Sequence, residues 1–248
     1  MTDRAALVTG GARRIGRAIS LALHEAGYAV AIHAQRSVAE AEVLRDDIVR
    51  AGGRACVLQA DLSGDAAGEL VAAAAGALGP LSLLVNNAAS FEPDEIGALD
   101  AARFDRQMAV NLRAPLFLSE AFAAQAGEGA SIVNILDQRV LKPTPHFVSY
   151  TLAKSALHAA TRMLAQALAP TVRVNAVAPG PTMASARQSA DDFSRQSAAV
   201  PLGRGPTPAE IAAAVVYLGG ARSVTGMTLA VDGGQHLAWN TPDASVTE

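Results

Sequence analysis

Cys56 is the only cysteine in the chain, so no intramolecular disulfide can brace the fold, and a reducing compartment is the matching environment. Basic charge is also short. Lys and Arg number 20 against 23 Asp and Glu, a formal charge of -3, which leaves no global basic field for nucleic acid. Long apolar runs are missing too. The longest, residues 71–85, is interrupted by Gly76, Gly79 and Pro80 and falls short of the ~20 residues of a membrane span. The opening Met-Thr-Asp-Arg carries no apolar signal core, and a cytoplasmic protein with no membrane contact is expected. The histidines at 24, 33, 146, 158 and 236 show no metal-ligand spacing, so no metal site is expected.

What is present is apolar: half of the 248 residues are hydrophobic, enough for one large core. Short β-rich runs at residues 5–8, 28–34, 55–60, 81–86, 131–136, 172–177 and 227–231 alternate with helical spacing. Ile15, Ile19, Ala22, Leu23 and Ala26, closed by Gly27, form one such helix, and residues 37–50 form another. A third opens at Pro206 and Thr207 and runs through Ile211, Val215 and Leu218. Seven strands with intervening helices predict an α/β fold: a doubly wound, Rossmann-type parallel seven-stranded sheet with helices on both faces. Residues 1–248 read as a single domain, with an ordered core from about 5 to 238 and a mobile polar tail at 240–248. In such sheets ligands bind beyond the carboxyl ends of the strands.

Beyond the first strand lies Thr9-Gly10-Gly11-Ala12-Arg13-Arg14-Ile15-Gly16. Small residues there let backbone approach a pyrophosphate, and the following helix N-terminus offers free N–H groups. The second strand ends in Gln35-Arg36-Ser37 with no carboxylate. An acidic residue would grip the ribose hydroxyls of NAD, whereas Arg36 and Ser37 suit a 2′-phosphate, hence NADPH/NADP+. A solvated helix start is the bland alternative. Asp61, with Leu62 beside it, ends the third strand and suits the adenine amine or, nearly as well, a turn-forming N-cap for the next helix.

Tyr150 and Lys154 are four apart in the helical segment 149–169 and share a face. A nearby ammonium favours the phenolate and brings the phenol nearer to acid–base work at neutral pH. Asn111, mid-helix in Val110-Asn111-Leu112, suits a helix irregularity or is simply an unfavourable residue there. Phe91 reads as a stacking surface or as core filler. His146 and Phe147 sit close enough to Tyr150 to line a substrate mouth, and residues 185–200 read as a lid.

Thr9–Gly16, Asn86-Asn87-Ala88, Asn111, Tyr150/Lys154 and Pro179-Gly180 together resemble the motif set of short-chain dehydrogenases/reductases, from about residue 5 to 238. The resemblance implies Tyr150 as proton donor, Lys154 as ribose holder and Asn111 as part of a proton relay. It places Gly10, Arg13, Ile15, Gly16, Asn87, Ala88, Pro179, Gly180 and Thr182 along the cofactor.

Two departures from the common pattern, Arg14 for a glycine and Asp137 for a serine, resemble the pteridine reductases within that family, as do Arg36-Ser37 and Phe91. Ala89 stands where those enzymes carry a serine. That likeness implies Arg14 on cofactor phosphate and pterin, Asp137 aiding Tyr150, and Phe91 over the pterin ring. The chemistry agrees, because an ionised carboxylate repels the alkoxide of a reduced ketone. Asp137 suits a substrate with N–H donors or an aspartic acid that keeps its proton, and a helix cap or turn residue is its bland alternative. A pterin-like substrate is therefore expected; a ketone reductase acting on 3-oxoacyl thioesters or sugars is the alternative, and a silent NADP(H) sensor a third. Small residues all round the Tyr150 helix, Ala153, Ala156, Ala159, Ala160 and Ala167, predict a homo-oligomer, dimer or tetramer, formed through it and the helix at 112–124.

The charge-assisted contacts of Arg36 are worth about 1.5–3 kcal/mol, or about ten- to hundredfold in affinity. Arg36→Asp should abolish or invert the preference for NADPH over NADH in steady-state kinetics. Equal efficiency with both cofactors in the unmodified protein would contradict the assignment.

Overall fold

The apolar run at residues 28–34 is buried at every position, as a parallel strand covered on both faces must be. In the computed structural model, which describes residues 4–185 and 187–239, that run is the second of seven strands. They are β1 (Arg4–Val8), β2 (Tyr28–Ala34), β3 (Ala55–Gln59), β4 (Leu81–Asn86), β5 (Ala130–Ile135), β6 (Val172–Pro179) and β7 (Thr228–Val231). All pair in parallel, in the order β3-β2-β1-β4-β5-β6-β7. The helices are α1 (Arg14–Glu25), α2 (Val38–Arg50), α3 (Ala67–Leu78), α4 (Ala101–Met108), α5 (Ala114–Gln125), α6 (Val148–Leu168), α7 (Ala190–Ala198) and α8 (Pro208–Gly220).

Alternate residues of one strand feed two cores, because successive side chains leave a strand on opposite faces. Ala6 and Val8 of β1 join Val30 and Ile32 of β2 beneath α1, α2 and α8. Ala5 and Leu7 join Ala29 and Ala31 beneath α3, α5 and α6. Strand ends differ from the sequence expectation by a residue or two, where the ladder outruns the apolar run: β6 continues through Ala178 and Pro179 by pairing with β7. Gly27 follows the α1 cap at φ +82°, a left-handed stop that glycine adopts without strain. Thr207 caps α8 with a reciprocal bond to Glu210, and Pro208 takes the first turn. The helix expected at 112–124 starts as α-helix only at Ala114, since Ala109–Arg113 is a π-turn joining α4 to α5. The expected mobile tail at 240–248 lies outside the described residues.

The order reverses between β1 and β4, so their carboxyl ends diverge into a cleft. Buried polar pairs hold the sheet to its helices below that cleft. Asn86 Nδ2 donates to Asn134 Oδ1 at 2.9 Å, and Asn134 Nδ2 to Thr161 Oγ1 at 3.0 Å, tying β4 and β5 to α6. Arg173 on β6 is the charged counterpart. Its guanidinium donates to the carbonyls of Leu218 (2.8 Å), Gly219 (2.6 Å), Ala221 (2.8 Å) and Val224 (3.3 Å), closing the C-terminus of α8.

Those carbonyls lose their partner in Arg173→Met, so urea unfolding should show a loss of about 2–4 kcal/mol. A change below about 0.5 kcal/mol, the level of an ordinary surface substitution, would contradict this capping role.

Candidate active site

The loop after β1 is shaped by two glycines. Gly10 adopts φ +60°, and a Cβ on Gly16 would stand 2.0 Å from the Gly10 carbonyl oxygen. The loop is stitched to the end of β4 across the cleft. Asn87 Nδ2 donates to the carbonyls of Thr9 and Gly10 at 2.9 and 3.0 Å, and the Thr9 hydroxyl accepts the amides of Asn87 and Ala88 at 2.9 and 3.0 Å. Asn87 thus holds the loop, while Ala88 lines the groove with Gly10, Ala12 and Arg13. No acidic residue occupies the first turn of α1, which Ile15 and Gly16 begin with Arg14. No carboxylate of its own first turn therefore opposes the positive N-terminal end of α1.

The groove continues past Gln35, Arg36, Ser37, Asp61 and Leu62. Ser37 sits at the α2 N-cap yet makes no capping bond, and among the described residues no ion pair or hydrogen bond engages Arg36. A solvated helix start leaves both free in the same way; a cation and a hydroxyl without protein partners at one end of the groove are also what a 2′-phosphorylated dinucleotide requires. Asp61 Oδ1 accepts the amide and hydroxyl of Ser63 at 2.8 and 2.7 Å, bonds that lower its pKa. It therefore makes a turn and caps no helix. His33, passed over in the sequence, lies buried under the groove.

At the opposite end α6 presents Tyr150 and Lys154 one turn apart, both buried. Asp94 fixes the start of this helix: its carboxylate accepts the Ser149 amide at 3.1 Å and the Ser149 hydroxyl, and its carbonyl accepts the Phe147 amide at 2.8 Å. The Tyr150 hydroxyl donates to Asp137 Oδ2 at 3.4 Å, a long bond. Asp137 also caps a short 3-10 turn, accepting the Arg139 amide at 2.9 Å, and is paired with the Arg139 guanidinium at 3.2 Å. Asp137 is thus a turn cap that also stands beside the Tyr150 hydroxyl. Burial first, and the Asp137 charge second, push the Tyr150 pKa well above 10, with Arg139 opposing. This corrects the expectation that Lys154 draws the phenol downward: Lys154 Nζ donates to the Ile135 carbonyl at 2.7 Å and lies 5.9 Å from the phenol ring centre. Burial brings Lys154 itself down to about 8, against the pull of Asp137.

Asn111 is buried within the π-turn, so the expected irregularity is there. Its side chain is committed to Ser90, accepting that amide at 3.0 Å and donating to its carbonyl at 2.8 Å. This sets the segment carrying Phe91. Phe91 stacks face to face on Phe147, ring centres 4.4 Å apart and 2° from parallel, and meets Tyr150 edge-on at 4.7 Å. Arg139 lies over both phenyl rings. His146 is exposed and faces Glu95 at 3.5 Å.

Pro179 ends β6 and the loop after it begins at Gly180, where a Cβ would stand 2.6 Å from the Asp232 Cα, and Thr182 bonds back to the Gly180 carbonyl at 3.0 Å. Arg14 crosses the cleft to this loop, donating to the Met183 and Ala184 carbonyls at 3.1 and 2.9 Å. Arg187 reaches the other wall, donating to the Phe91 carbonyl at 2.7 Å. The expected lid at 185–200 contains α7. Arg14 and Phe147 are the two non-glycine residues at positive φ among those described, 53° and 58°. Both border the cleft, and such strain concentrates at functional sites. Arg139, Arg187, Asp94 and His33 were missed in the sequence; only the adjacency of Arg139 to Asp137 was a usable signal.

The family pattern described as enoyl-(acyl carrier protein) reductase matches residues 10–236. An uncharacterized oxidoreductase of Mycobacterium tuberculosis is 36% identical over 244 residues, covering 94% of this chain and 92% of that protein. Pteridine reductase 1 of Leishmania tarentolae is 33% identical over 284 residues, covering 95% and 97%. The crystal structure of FolM alternative dihydrofolate reductase 1 from Brucella canis, complexed with NADP, superposes at TM-score 0.95 with 52% identity over 98% of this chain and 97% of that one. Its counterpart from Brucella suis, also with NADP, gives 0.94 and 53% over 97% and 98%. The chain belongs to the short-chain dehydrogenase/reductase family of oxidoreductases.

With Lys154 near 8 in the fold and 10.5 outside it, the unfolded chain holds the extra proton between those values, so stability rises with pH across that window. Below about pH 8 the buried ammonium costs its full penalty, roughly 3 kcal/mol. Urea unfolding of the ligand-free protein should therefore show stability climbing from about pH 8 to about pH 9.5, a climb that Lys154→Met flattens. Parallel curves for the two proteins would contradict the burial of a charged lysine.

Proposed function

We propose that this protein is an NADPH-dependent reductase of a pterin-like, nitrogen-rich bicycle such as a dihydropterin or dihydrofolate. The observation that carries the reading is Asp137. A carboxylate paired to Arg139 at 3.2 Å faces the Tyr150 hydroxyl, where a ketone reductase needs a neutral donor for its developing alkoxide. A pterin edge offers ring N–H and amino donors that such a carboxylate accepts. The names of the Leishmania and Brucella relatives support the same substrate class, and the NADP in the Brucella structures supports the cofactor.

Gly10, Arg13, Ile15 and Gly16 would hold the pyrophosphate, with Arg14 beside them, and Arg36 and Ser37 the 2′-phosphate. Asp61 and Leu62 would border the adenine, and Ala88, Pro179, Gly180 and Thr182 the nicotinamide end. When bound, the reduced nicotinamide supplies a hydride. Tyr150, kept as a neutral phenol by its surroundings, donates its proton to the substrate nitrogen as the C=N bond becomes CH–NH. Lys154 and Arg139 then face the phenolate left behind, and water returns its proton. Phe147, on a strained backbone, fills the place against Phe91 that a flat substrate would take, so binding exchanges one stacked partner for another.

Ketone reduction is the weaker reading because of the Asp137 charge. A silent sensor is weaker still, since Tyr150 and Lys154 are both retained one turn apart. The working unit is a homo-oligomer, dimer or tetramer, closed over the exposed Leu152 and Met163 of α6 and Phe117 of α5. The compartment is the cytoplasm, in keeping with one free cysteine.

A 2,4-diaminopteridine should compete with dihydropterin in NADPH-oxidation assays, and Phe91→Ala should weaken it by about tenfold, the upper end of an aromatic stacking contribution. Tyr150→Phe should cut kcat by at least about a hundredfold with NADP+ affinity nearly unchanged. Absence of diaminopteridine binding by calorimetry with NADPH present, together with faster turnover of ketones, would refute the proposal.

A further inference from the structure

The floor of the cofactor groove holds a buried histidine whose ring has two partners and whose carbonyl has a third. His33, near the end of β2, is 2% exposed. Its Nδ1 accepts the Gly10 amide at 3.1 Å, its carbonyl accepts the Gly11 amide at 3.0 Å, and its Nε2 faces the Ala60 carbonyl at 3.2 Å. An amide only donates, so Nδ1 is the bare nitrogen, and Nε2 carries the proton and donates to Ala60. The ring is neutral, in one tautomer, and joins the ends of β1, β2 and β3.

Gly10, at φ +60°, turns its amide away from the groove and toward this ring. Without an acceptor there, a buried N–H would be left unpaired, and the loop would gain by turning it outward. The amides of Gly10 and Gly11 are both taken up by His33, which leaves those from Ala12 onward to face an anion.

We propose that His33 is a positioning residue for the dinucleotide: its neutral ring clamps the phosphate loop, through Gly10, in the conformation that binds. The inference concerns the cofactor and stands whichever substrate the enzyme reduces. Protonation would set an Nδ1–H against the Gly10 N–H, two donors 3.1 Å apart, and the clamp would release. The charged side chains sharing the groove are Arg13, Arg36 and Asp61. Of these Asp61 acts on the ring, favouring protonation, as does the Ala60 bond; burial outweighs both and lowers the pKa below 6.5. The clamp is therefore intact at neutral pH and lost as pH falls through that lowered value.

Three substitutions separate this role from core filling. Asparagine sets an acceptor where Nδ1 stands, cannot titrate, and gives up Ala60. Glutamine reaches toward Ala60 and leaves Gly10 without its acceptor, and leucine keeps only bulk. NADP+ binding would be measured by calorimetry near pH 7.5 and near pH 5.5, with thermal melting of the ligand-free proteins alongside. His33→Asn should bind within about threefold of the unmodified protein near pH 7.5, and His33→Gln and His33→Leu about tenfold or more weakly, the worth of one hydrogen bond. The unmodified protein should lose more affinity on acidification than His33→Asn, since titration of the 2′-phosphate is common to both. Wild-type affinity in the Gln and Leu variants would overturn the proposal. So would superimposable pH dependences for the unmodified protein and His33→Asn, or affinity losses in all three variants that merely track lost thermal stability.

Discussion

A carboxylate facing a phenol at the centre of the cleft is the constraint on which the rest of this site depends. Burial raises the cost of ionising Tyr150, and Asp137 raises it further. A phenol so placed is held in its neutral form and ionises only if cations stand by. Two do: Arg139, paired with Asp137 at 3.2 Å, and Lys154, one helical turn from the tyrosine. On the proposed function the same carboxylate would select what docks, because an anionic oxygen next to it is repelled and an N–H is welcomed.

The fold supplies this constellation by bringing strand ends together at a point where the order reverses. Side chains bonded to backbone groups hold its parts in place. Asn87 and His33 fix the phosphate loop, Asn111 fixes Ser90 and so Phe91, and Asp94 fixes the first turn of α6. Backbone strain is kept for Arg14 and Phe147, on opposite sides of the cleft. A glycine at either position would relax that strain but lose, at 14, the guanidinium that bridges to the loop after β6, and at 147, the aromatic face against Phe91.

The strands were legible because parallel strands buried on both faces read as unbroken apolar runs, and residues 28–34 are the clearest case. Tyr150, Lys154, Arg36 and the glycine loop were legible through spacing and their places beyond strand ends. The direction of the Tyr150 shift was not. From the sequence the ammonium four residues away looks decisive, whereas in the fold Lys154 points to the Ile135 carbonyl and burial dominates. His33, Arg173 and Asp94 were hidden for a related reason. Each matters through backbone groups distant in the chain, and such groups leave no mark in a pattern of side chains. Phe91 was legible as an aromatic near the site, but its partner Phe147 depends on a left-handed residue that no glycine or asparagine announces.

The most direct test of the central claim is exchange of the carboxylate for the hydroxyl of a ketone reductase. In Asp137→Ser, kcat/KM would be compared for a dihydropterin and for a β-ketoacyl thioester, with NADPH saturating. The account predicts that pterin reduction falls by about tenfold or more while ketone reduction rises, because a neutral donor replaces a repelling charge. An unchanged ratio of the two substrates, or a parallel fall in both, would contradict it.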